Sequence, residues 1–464
     1  MTLTTNPNGP LAEGAFADPG TPEYDEAAVS FNLAAPLRPI AATTARTVAD
    51  AQNAILEAGE IGARIAPIST GHSTSMLGPV ASKLYVVRTV LDEPIRVDPG
   101  RGTVWIPAGA RWGAVVDAAA EHGFAVPHGS SPTVGVIGFL LGGGLSFYGR
   151  QLGVAANSVV SVTLALADGG IVTADANNDP ELFRAVRGGG GGFGIVLGVE
   201  LRMLPLRTVL TGMIVWDAAE SGPVARAWAD WAATAPRAAT TSMRLLNLPP
   251  GPMTPEPLQG RQILAIDGSI IVDDDAPERA GEVLRDLVDP LSALATPLLD
   301  TWHVGPVTDA VRTHGDPEDP LPGASDSFSL AGVGHDTIDR WYAAAGPGSG
   351  SRLIAAELRQ LGGAFAEAPA GAGVFGSIEA DLASFGIGLA ITPEDHKEVR
   401  ADLERLRESL RPYTTDRTAP TLIENPATPR RTFSADVEAQ VDAVRARVDP
   451  EGLFSLDARR SSGL

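Results

Sequence analysis

The sequence predicts an α+β protein of two domains. Its 464 residues are more than a domain with a single hydrophobic core ordinarily contains. Segments whose apolar residues follow helical spacing alternate with short strand-like segments along most of the chain. The composition shifts near Pro205, after which a second series of strands and helices begins. We therefore expect the domain boundary at about this residue.

Composition and charge exclude several classes of partner and site. A content of 44% hydrophobic and 20% charged residues is typical of a globular protein. The formal net charge of −21 argues against a nucleic-acid backbone or an anionic membrane surface as partner. The absence of cysteine excludes disulfides, thiolate metal ligands and thiol nucleophiles. We see no signal peptide and no apolar run approaching the ~18 residues of a membrane helix, so we expect a cytoplasmic protein.

The first half alternates strands and helices. The segment "PLRPIAATTARTVADAQNAILEAGEIGARIAPI" predicts strand, helix and strand, with the helix ending near Gly59. "KLYVVRTV" and "PIRVDPGRGTVWIPAGA" predict strands, and "WGAVVDAAAEHG" predicts a helix. "SVVSVTLALADGGIVTA" predicts a buried strand that turns at residues 168–170. "DPELFRAVRGGGGGFGIVLGVELRMLPL" then predicts a helix, a glycine loop and a strand.

The second half continues this alternation. Strands are predicted in "RTVLTGMIVW", "RQILAIDGSIIV", "SRLIAAELRQLGG" and "GVFGSIEADLASFGIGLAI". Helices are predicted at residues 224–233 and 276–287. The last helix, in "ADVEAQVDAVRARVDPEGLF", ends at Asp449-Pro450.

Three glycine-rich turns are candidates for binding an anion: "STGHST", "HGSSPTVGVIG" and "GGGGGFG". Glycine lets backbone amides converge on an oxyanion such as a pyrophosphate, because no Cβ stands in the way. A Rossmann turn is excluded for the last of these, because a helix precedes the glycines and a strand follows them. No Walker A sequence follows either. The alternative is that these are ordinary turns in a protein with 52 glycines.

These motifs, in this order, resemble the FAD-binding domain of the vanillyl-alcohol-oxidase superfamily. More narrowly, the chain resembles the berberine-bridge-enzyme-like and 6-hydroxy-D-nicotine-oxidase-like flavoproteins, most strongly over residues 36–206 and again in "VRARVDPEGLF". The resemblance implies a PCMH-type FAD-binding domain of two α/β subdomains in residues 1–205. It also implies a substrate domain in 206–414, with an antiparallel sheet backed by helices, and a C-terminal segment, 415–464, that returns to the FAD domain.

The resemblance assigns the cofactor contacts. Gly71-His72 matches the family's pyrophosphate loop, whose histidine is often bonded to the flavin 8α-methyl group, so it implies FAD tethered through His72. Non-covalent contact is the alternative. Ser131 stands where doubly attached relatives carry cysteine, so attachment is single at most. Val134 stands at the oxygen-gating position, and a small residue there favours an oxidase. The other implied contacts are phosphate donors at Ser69, Thr70, Gly71, Ser73 and Thr74, and flavin-lining positions at Gly129, Ser130, Gly135, Gly138, Gly143 and Ile195.

The family's chemistry is hydride transfer from a substrate C–H to flavin N5, with a base removing an O–H or N–H proton. Alternation in "SIEADLAS" places Glu379 on a strand face, and strands near this place cover the substrate side of the flavin in the family. Glu379 is the predicted base and Tyr148 the second candidate. A solvated outer sheet face would produce the same alternation. Glu357 and Arg359 also share a strand face, which we interpret as a structural pair; the alternative is that Arg359 orients an anionic substrate.

The predicted activity is FAD-dependent oxidation of a small organic alcohol, amine or sugar-like molecule, with O₂ as electron acceptor. A dehydrogenase with another acceptor, a flavin-bound protein with a non-redox cyclase or scaffold role, and a flavin-free structural protein are the alternatives. The family's Tyr-x-Asn motif is not reproduced in "TLIENPATP", which leaves the substrate class open. No metal site is predicted, because ligand spacing is absent among His122, His128, His303, His314, His335 and His396.

Overall fold

A computed structural model describes residues 14–454, apart from 79, 252–253, 255, 274 and 427–431. Residues 1–13 of the predicted segment 1–205 and residues 455–464 of the predicted segment 415–464 lie outside these ranges. Residues 427–429, at the end of "TLIENPATP", also lie outside them. The described residues form three β-sheets and twelve α-helices. None of these helices combines the length and apolar composition that a bilayer span requires.

The first half of the chain forms two sheets. A parallel sheet has the order β1-β3-β2, and a five-stranded antiparallel sheet has the order β4-β5-β8-β6-β7. The strands are β1 (Ala41–Ala45), β2 (Ile65–Ile68), β3 (Tyr85–Thr89), β4 (Arg96–Asp98), β5 (Thr103–Pro107), β6 (Val159–Ala165), β7 (Ile171–Asp175) and β8 (Ile195–Arg202). The helices are α1 (Pro22–Ala27), α2 (Val48–Glu60), α3 (Trp112–Ala120), α4 (Val136–Leu141), α5 (Gly149–Leu152) and α6 (Pro180–Val186).

The predicted elements of this half are confirmed. Helix α2 begins at a capping box, in which Thr47 and Asp50 each accept from the other's backbone amide. Its buried residues recur at helical spacing, and they pack with the strands of both sheets in one apolar core. The helix, glycine loop and strand predicted after residue 178 are α6, residues 187–194 and β8.

The second half forms one large antiparallel sheet in the order β12-β9-β11-β10-β15-β16-β14, with β13 also pairing with β9. Its strands are β9 (Thr208–Asp217), β10 (Ala239–Asn247), β11 (Gln262–Ile271), β12 (Leu299–Asp300), β13 (His303–Pro306), β14 (Gly323–Leu330), β15 (Leu353–Gln360) and β16 (Leu382–Leu389). The helices that follow β8 along the chain are α7 (Gly222–Thr234), α8 (Glu278–Leu294), α9 (Val307–Ala310), α10 (His335–Ala345), α11 (Pro393–Leu410) and α12 (Ala435–Val448).

The two faces of the large sheet differ in chemistry. One face packs under α7, α8, α10 and α11 in an apolar core that contains Trp228 and Trp341. On the other face, the strand register places Glu357 opposite Arg244, and Arg359 opposite Ser242. Residues directly opposite in an antiparallel pair point to the same side. This second side, called the polar face below, is therefore lined by charged and hydroxyl side chains.

The end of the described chain contacts the first half. Helix α12 packs against α6, and the amide of Ile65 at the start of β2 donates to the carbonyl of Leu453 at 2.8 Å. Phe454 forms a parallel bridge with the same strand. These contacts bring the C-terminal segment back to the two smaller sheets. The boundaries at 205 and 414 stay predictions.

One predicted strand is wrong over its first half. In "GVFGSIEADLASFGIGLAI", residues 373–381 are irregular, and only β16 joins the ladder. The alternation arises because Ile378 and Ala380 enter a small apolar cluster with Phe365 and Phe375. Strands β10 and β14 were not predicted. Their sequences, "ATTSMRLLN" and "GASDSFSL", are rich in small and hydroxyl residues and become strands between paired neighbours.

Candidate active site

The turn after β2 is built around Gly71. Its φ of +82° favours glycine, and a Cβ there would lie 3.1 Å from the carbonyl oxygen of Val29. Buried Arg88 of β3 fixes the turn by donating to three carbonyls, those of Ala27 (at 3.0 Å), Ser69 and Val29. The backbone that precedes the histidine is therefore held in one conformation.

His72 is held by hydroxyls and by an aromatic ring. Its Nδ1 lies 2.9 Å from the Thr70 hydroxyl and its Nε2 lies 3.5 Å from the Thr133 hydroxyl. Its ring stacks on Phe31, with centroids 3.8 Å apart and planes at 18°. Burial, assisted by the charge of Arg111, lowers the pKa of His72 to about 4. The imidazole is thus neutral at neutral pH, the form in which a ring nitrogen is nucleophilic.

The second glycine turn lies against the first. The Gly135 amide donates to the Thr70 hydroxyl at 3.1 Å, and a Cβ on Gly135 would lie 3.2 Å from Ser69 Oγ. That Ser69 hydroxyl is buried and has no hydrogen-bond partner in the described part of the chain. Beside it, Gly138 of α4 is exposed, with no atom within 4 Å of a Cβ built on it. The two turns therefore form a cradle with an unsatisfied polar group and open space.

The third glycine turn lies at the other end of α4. The Gly190 amide donates to the carbonyl of Leu141 at 2.9 Å. Arg445 of α12 donates to the carbonyls of Gly189 and Gly191 at 2.8 and 3.0 Å. The turn is thus fixed by the C-terminal helix, and buried Ile195 begins β8 directly after it.

Three predicted contact residues have protein neighbours where their side chains would point. Cβ atoms on Gly129 and Gly143 would lie 2.9 Å from Phe139 and 2.5 Å from Phe375, and contact of their backbone with a flavin stays a prediction. Glycine is needed at these positions because phenylalanine rings fill the space. The Thr74 hydroxyl is buried and donates to the carbonyl of Gly71 at 2.8 Å, so it stabilises the turn from within. The sequence predicted that Thr74 donates to a phosphate, but its hydroxyl is directed into the turn.

The remaining predicted contacts have ordinary surroundings. Ser73 is exposed and the Val134 side chain is partly exposed, while the Val134 carbonyl accepts from the Trp112 amide at 3.0 Å. The Ser131 hydroxyl is buried 3.1 Å from that of Thr133. Their contacts with a flavin stay predictions.

Arg111 was not indicated by the sequence patterns. It precedes α3, forms a β-bridge with Gly135 and is exposed. Among the described residues, its guanidinium has no recorded hydrogen bond or ion pair, and its charge acts on both His72 and Arg88. An unpaired cation beside a cradle of hydroxyls and amides suits an anionic ligand. The only signal was its place before a helix in "GARWGA".

A buried ion-pair cluster lies on the polar face of the large sheet. Arg244 Nε donates to Asp267 Oδ2 at 2.8 Å, and His314 Nδ1 lies 2.9 Å from Asp267 Oδ1. Arg359 Nε donates to Glu357 Oε1 at 2.6 Å, and His314 Nε2 lies 3.5 Å from Glu357 Oε2. All five residues are buried. His314 therefore bridges two ion pairs that come from three different strands.

The charges in this cluster stabilise one another. Burial and Arg244 lower the pKa of His314, but Asp267, Asp316 and Glu357 more than offset them, and the pKa rises to about 9. Burial raises the pKa of Glu357, yet Arg359 and His314 hold it well below its ordinary value. The pKa of Asp267 is likewise lowered, because Arg244 and His314 outweigh burial. At neutral pH the five buried residues therefore contain three cations and two carboxylates, and Asp316, partly exposed 3.8 Å from His314 Nε2, supplies the third carboxylate.

The cluster contacts the second glycine turn. Arg359 Nη2 lies 3.3 Å from the Ser130 hydroxyl, which donates to Asp316 Oδ2 at 2.9 Å. The Phe147 ring lies 5.7 Å from the His314 ring and 5.3 Å from the Arg359 guanidinium carbon. The polar face and the cradle therefore meet at Ser130. The signals for the unpredicted cluster residues were single charges inside apolar strands, as in "SMRLL" and "AIDGS".

The two predicted catalytic residues do not join this cluster. Glu379 is exposed and lies in the irregular segment before β16, so the strand position on which its prediction rested is wrong. Tyr148 is buried, and its phenol oxygen has no hydrogen-bond partner in the described residues. Burial raises its pKa above the ordinary value, which disfavours a tyrosinate base. Its ring lies 5.2 Å from that of His128, whose pKa burial lowers to about 4.

The described residues contain no cluster of three or more side chains suited to a metal ion.

Comparisons with known proteins bear on both halves. Residues 39–175 match the family model described as "FAD binding domain". A carbohydrate oxidase of Microdochium nivale is 34% identical over 196 residues, which cover 42% of this chain and 40% of that one. The match thus spans less than half of that relative's length.

Two solved structures share the fold. 6-Hydroxy-D-nicotine oxidase from Arthrobacter nicotinovorans superposes with a TM-score of 0.78 at 21% identity, over 97% of this chain and 98% of that one. A glucooligosaccharide oxidase from Acremonium strictum, described with a 6-S-cysteinyl, 8α-N1-histidyl FAD, superposes with a TM-score of 0.76 at 19% identity, over 96% of both chains. These likenesses confirm the predicted α+β architecture.

Proposed function

We propose that this chain, whose residues 39–175 belong to the FAD-binding domain family, is an FAD-dependent oxidase of sugars or related small alcohols. O₂ is the proposed electron acceptor. The observation that carries the proposal is the contact of Arg359 with Ser130, which joins a buried polar sheet face to the cradle. The similarity to the carbohydrate oxidase of Microdochium nivale supports sugars as the substrate class.

The residues of the cradle fit FAD. Ser69 supplies a buried hydroxyl without a partner, Gly138 borders open space, and Arg111 supplies an unpaired cation. A diphosphate satisfies all three requirements, because it is anionic and accepts several hydrogen bonds. When bound, the flavin supplies the capacity to accept a hydride from a substrate carbon.

His72 is proposed as a single covalent attachment point. Its neutral ring, positioned by Thr70 and Thr133, is suited to attack on carbon. With FAD bound, the C–N bond to His72 would replace one C–H bond of the flavin methyl group and one N–H bond of the imidazole. O₂ would take up the two protons and two electrons released, as hydrogen peroxide. A second attachment through sulfur is excluded, because the chain contains no cysteine.

The polar face is proposed to bind and orient the substrate. Hydroxyl-rich substrates require hydrogen-bonding groups that are already positioned, and here Ser242 donates to Glu357 at 2.8 Å beside Arg244. Because the cluster is internally neutralised, it favours an uncharged polyol over a strongly anionic substrate. Two assignments stay predictions. One is the division of the chain into flavin-binding residues, 1–205 and 415–464, and substrate-binding residues, 206–414; the other is a cytoplasmic location.

The function is tested by spectroscopy of the purified protein. We expect a yellow protein whose flavin absorbance is bleached anaerobically by xylobiose, glucose or chitobiose and returns in air with one peroxide per cycle. Slow reoxidation in air, with fast reoxidation by a quinone, would favour a dehydrogenase. A colourless protein, or a flavin that none of these sugars and no simple alcohol or amine reduces, would contradict the proposal.

A further inference from the structure

A carboxyl group lies where the C-terminal segment crosses the polar face. Glu424 Oε2 accepts from the Ser325 hydroxyl of β14 at 2.5 Å, and the Glu424 carbonyl accepts from the Ser75 hydroxyl at 3.0 Å. The Leu422 carbonyl accepts from the Ser327 hydroxyl, also at 2.5 Å. Glu424 is mostly buried but keeps some exposed surface. The segment is thus fixed to the large sheet on one side and to the first glycine turn on the other.

Strand register places this carboxyl on the same face as the ion-pair cluster. Ser327 pairs with Phe385 of β16, and Phe385 pairs in turn with Glu357 of β15. Ser325 lies two residues before Ser327 and therefore points to the same side. Glu424 and Glu357 are thus two carboxylates over one face, separated by one partly exposed aromatic side chain.

A second set of contacts connects β14 to His72. Phe31, which stacks on His72, is followed by Asn32. The Asn32 side chain donates to the Gly323 carbonyl at 2.8 Å and accepts from the Gly323 amide at 3.1 Å. Gly323 begins the strand that carries Ser325 two residues later. The carboxyl of Glu424 is therefore fixed relative to the histidine from two directions.

The two carboxylates differ in their ability to take up a proton. Glu357 is bonded to Arg359 and Ser242, and its pKa is held well below the ordinary value. Burial raises the pKa of Glu424, and the Ser325 hydrogen bond and the charge of Arg400 offset only part of this effect. Arg400 of α11 is the charged group that acts on Glu424. Ser75, directly after the first glycine turn, donates to the Glu424 carbonyl, and Ser325 of β14 donates to the Glu424 carboxylate. A general base works best when its pKa approaches the working pH.

We propose that Glu424 is a catalytic residue that accepts the hydroxyl proton of the substrate. The inference rests on the proposed oxidase function and replaces Glu379 and Tyr148 in that role. As the substrate C–H hydrogen leaves with its electron pair to the flavin, the O–H proton passes to the Glu424 carboxylate and a C=O bond forms. That proton, together with the hydride transferred to the flavin, completes the two-electron reduction of O₂ to hydrogen peroxide.

The first test is anaerobic stopped-flow reduction of the flavin by xylobiose across a pH series. We expect the wild-type rate to rise with pH through a pKa above that of an ordinary glutamic acid, because the carboxylate is the active form. Glu424→Gln should reduce its flavin about 100-fold more slowly and without this rise. Glu394→Gln, at the exposed start of α11, is the matched control and should behave like the wild type. An unchanged flavin spectrum in both variants shows that the cradle is intact.

The second test does not need turnover. Infrared difference spectra between acidic and neutral pH should show a protonated-carboxyl C=O band that titrates above the ordinary range, is lost in Glu424→Gln and persists in Glu357→Gln. The inference alone fails if Glu424→Gln is reduced within about threefold of the wild-type rate with the same pH dependence, or if the band persists in it. If no sugar, alcohol or amine reduces the wild-type flavin while the band titrates as expected, the proposed function fails and the catalytic role of Glu424 fails with it.

Discussion

His72 in the cradle and His314 in the buried cluster have opposite protonation states at neutral pH. Burial and the repulsion of Arg111 lower the pKa of His72 to about 4. At His314, three carboxylates outweigh burial and Arg244, and the pKa rises to about 9. Among the described residues, the cradle thus leaves the Arg111 charge and the Ser69 hydroxyl without partners. The cluster satisfies its own charges and holds the sheet against the cradle.

The largest expected effect comes from removing one carboxylate of the buried ion-pair cluster. Asp267→Asn leaves Arg244 and His314 without their shared carboxylate in a buried site. We expect the free energy of unfolding to fall by about 3–5 kcal/mol, measured by urea denaturation. Asp339→Asn breaks an exposed ion pair with Arg226 and should change the free energy of unfolding little. Equal effects of the two substitutions would contradict a compensated cluster.

The proton held by His314 predicts a pH dependence of stability. Below pH 6.5 the histidine is protonated in both states, and between 6.5 and about 9 only the folded state keeps the proton. The free energy of unfolding should therefore fall as pH rises through this window, by up to about 1.4 kcal/mol per pH unit. His314→Gln should lose this part of the slope. A wild-type slope equal to that of the variant would show that His314 is neutral.

The unsatisfied side of the comparison is tested by Arg111→Gln. In a His72→Ala background, where flavin binds without a covalent bond, this change should weaken FAD affinity about tenfold in a titration at low salt, because a charge-assisted contact is lost. The difference should shrink as salt is added. Lys83→Gln, which removes another exposed cation, is the control. Equal affinities for the two variants would remove Arg111 from the cradle.

The smallest effect concerns the contact between the two regions. Ser130→Ala removes a hydroxyl that lies 3.3 Å from Arg359 and donates to Asp316. We expect a small shift of the flavin absorbance and about a three- to tenfold slower reduction by sugar, the size of one or two neutral hydrogen bonds. A variant with an unchanged spectrum and rate would show that the cluster and the flavin are not coupled through this turn.

The cradle could be predicted from the sequence because contiguous residues build it. Gly71 and His72 adjoin in one turn, and Gly135 lies in a second turn with its own glycine pattern. The cluster could not be predicted, because Arg244, Asp267 and His314 are far apart in sequence and meet only through strand pairing.

Local alternation also misled one prediction. The period-two pattern around Glu379 reflects two apolar residues that enter a small cluster, and the backbone there has no strand partner. Glu424 gave no local signal, because its neighbours on the large sheet lie about a hundred residues earlier in the chain. Residue patterns located the turns that form the cradle, but only tertiary structure showed which carboxylates share a face.

The most direct test of the account is to denature the purified protein in acid and to measure where the flavin goes. The account predicts that the yellow colour stays with the protein, at one flavin per chain, and that mass spectrometry locates it on the peptide that contains His72. His72→Ala should release its flavin, whereas His122→Ala, an exposed histidine, should retain it. Flavin released from the wild type, or bonded to another residue, would contradict the account.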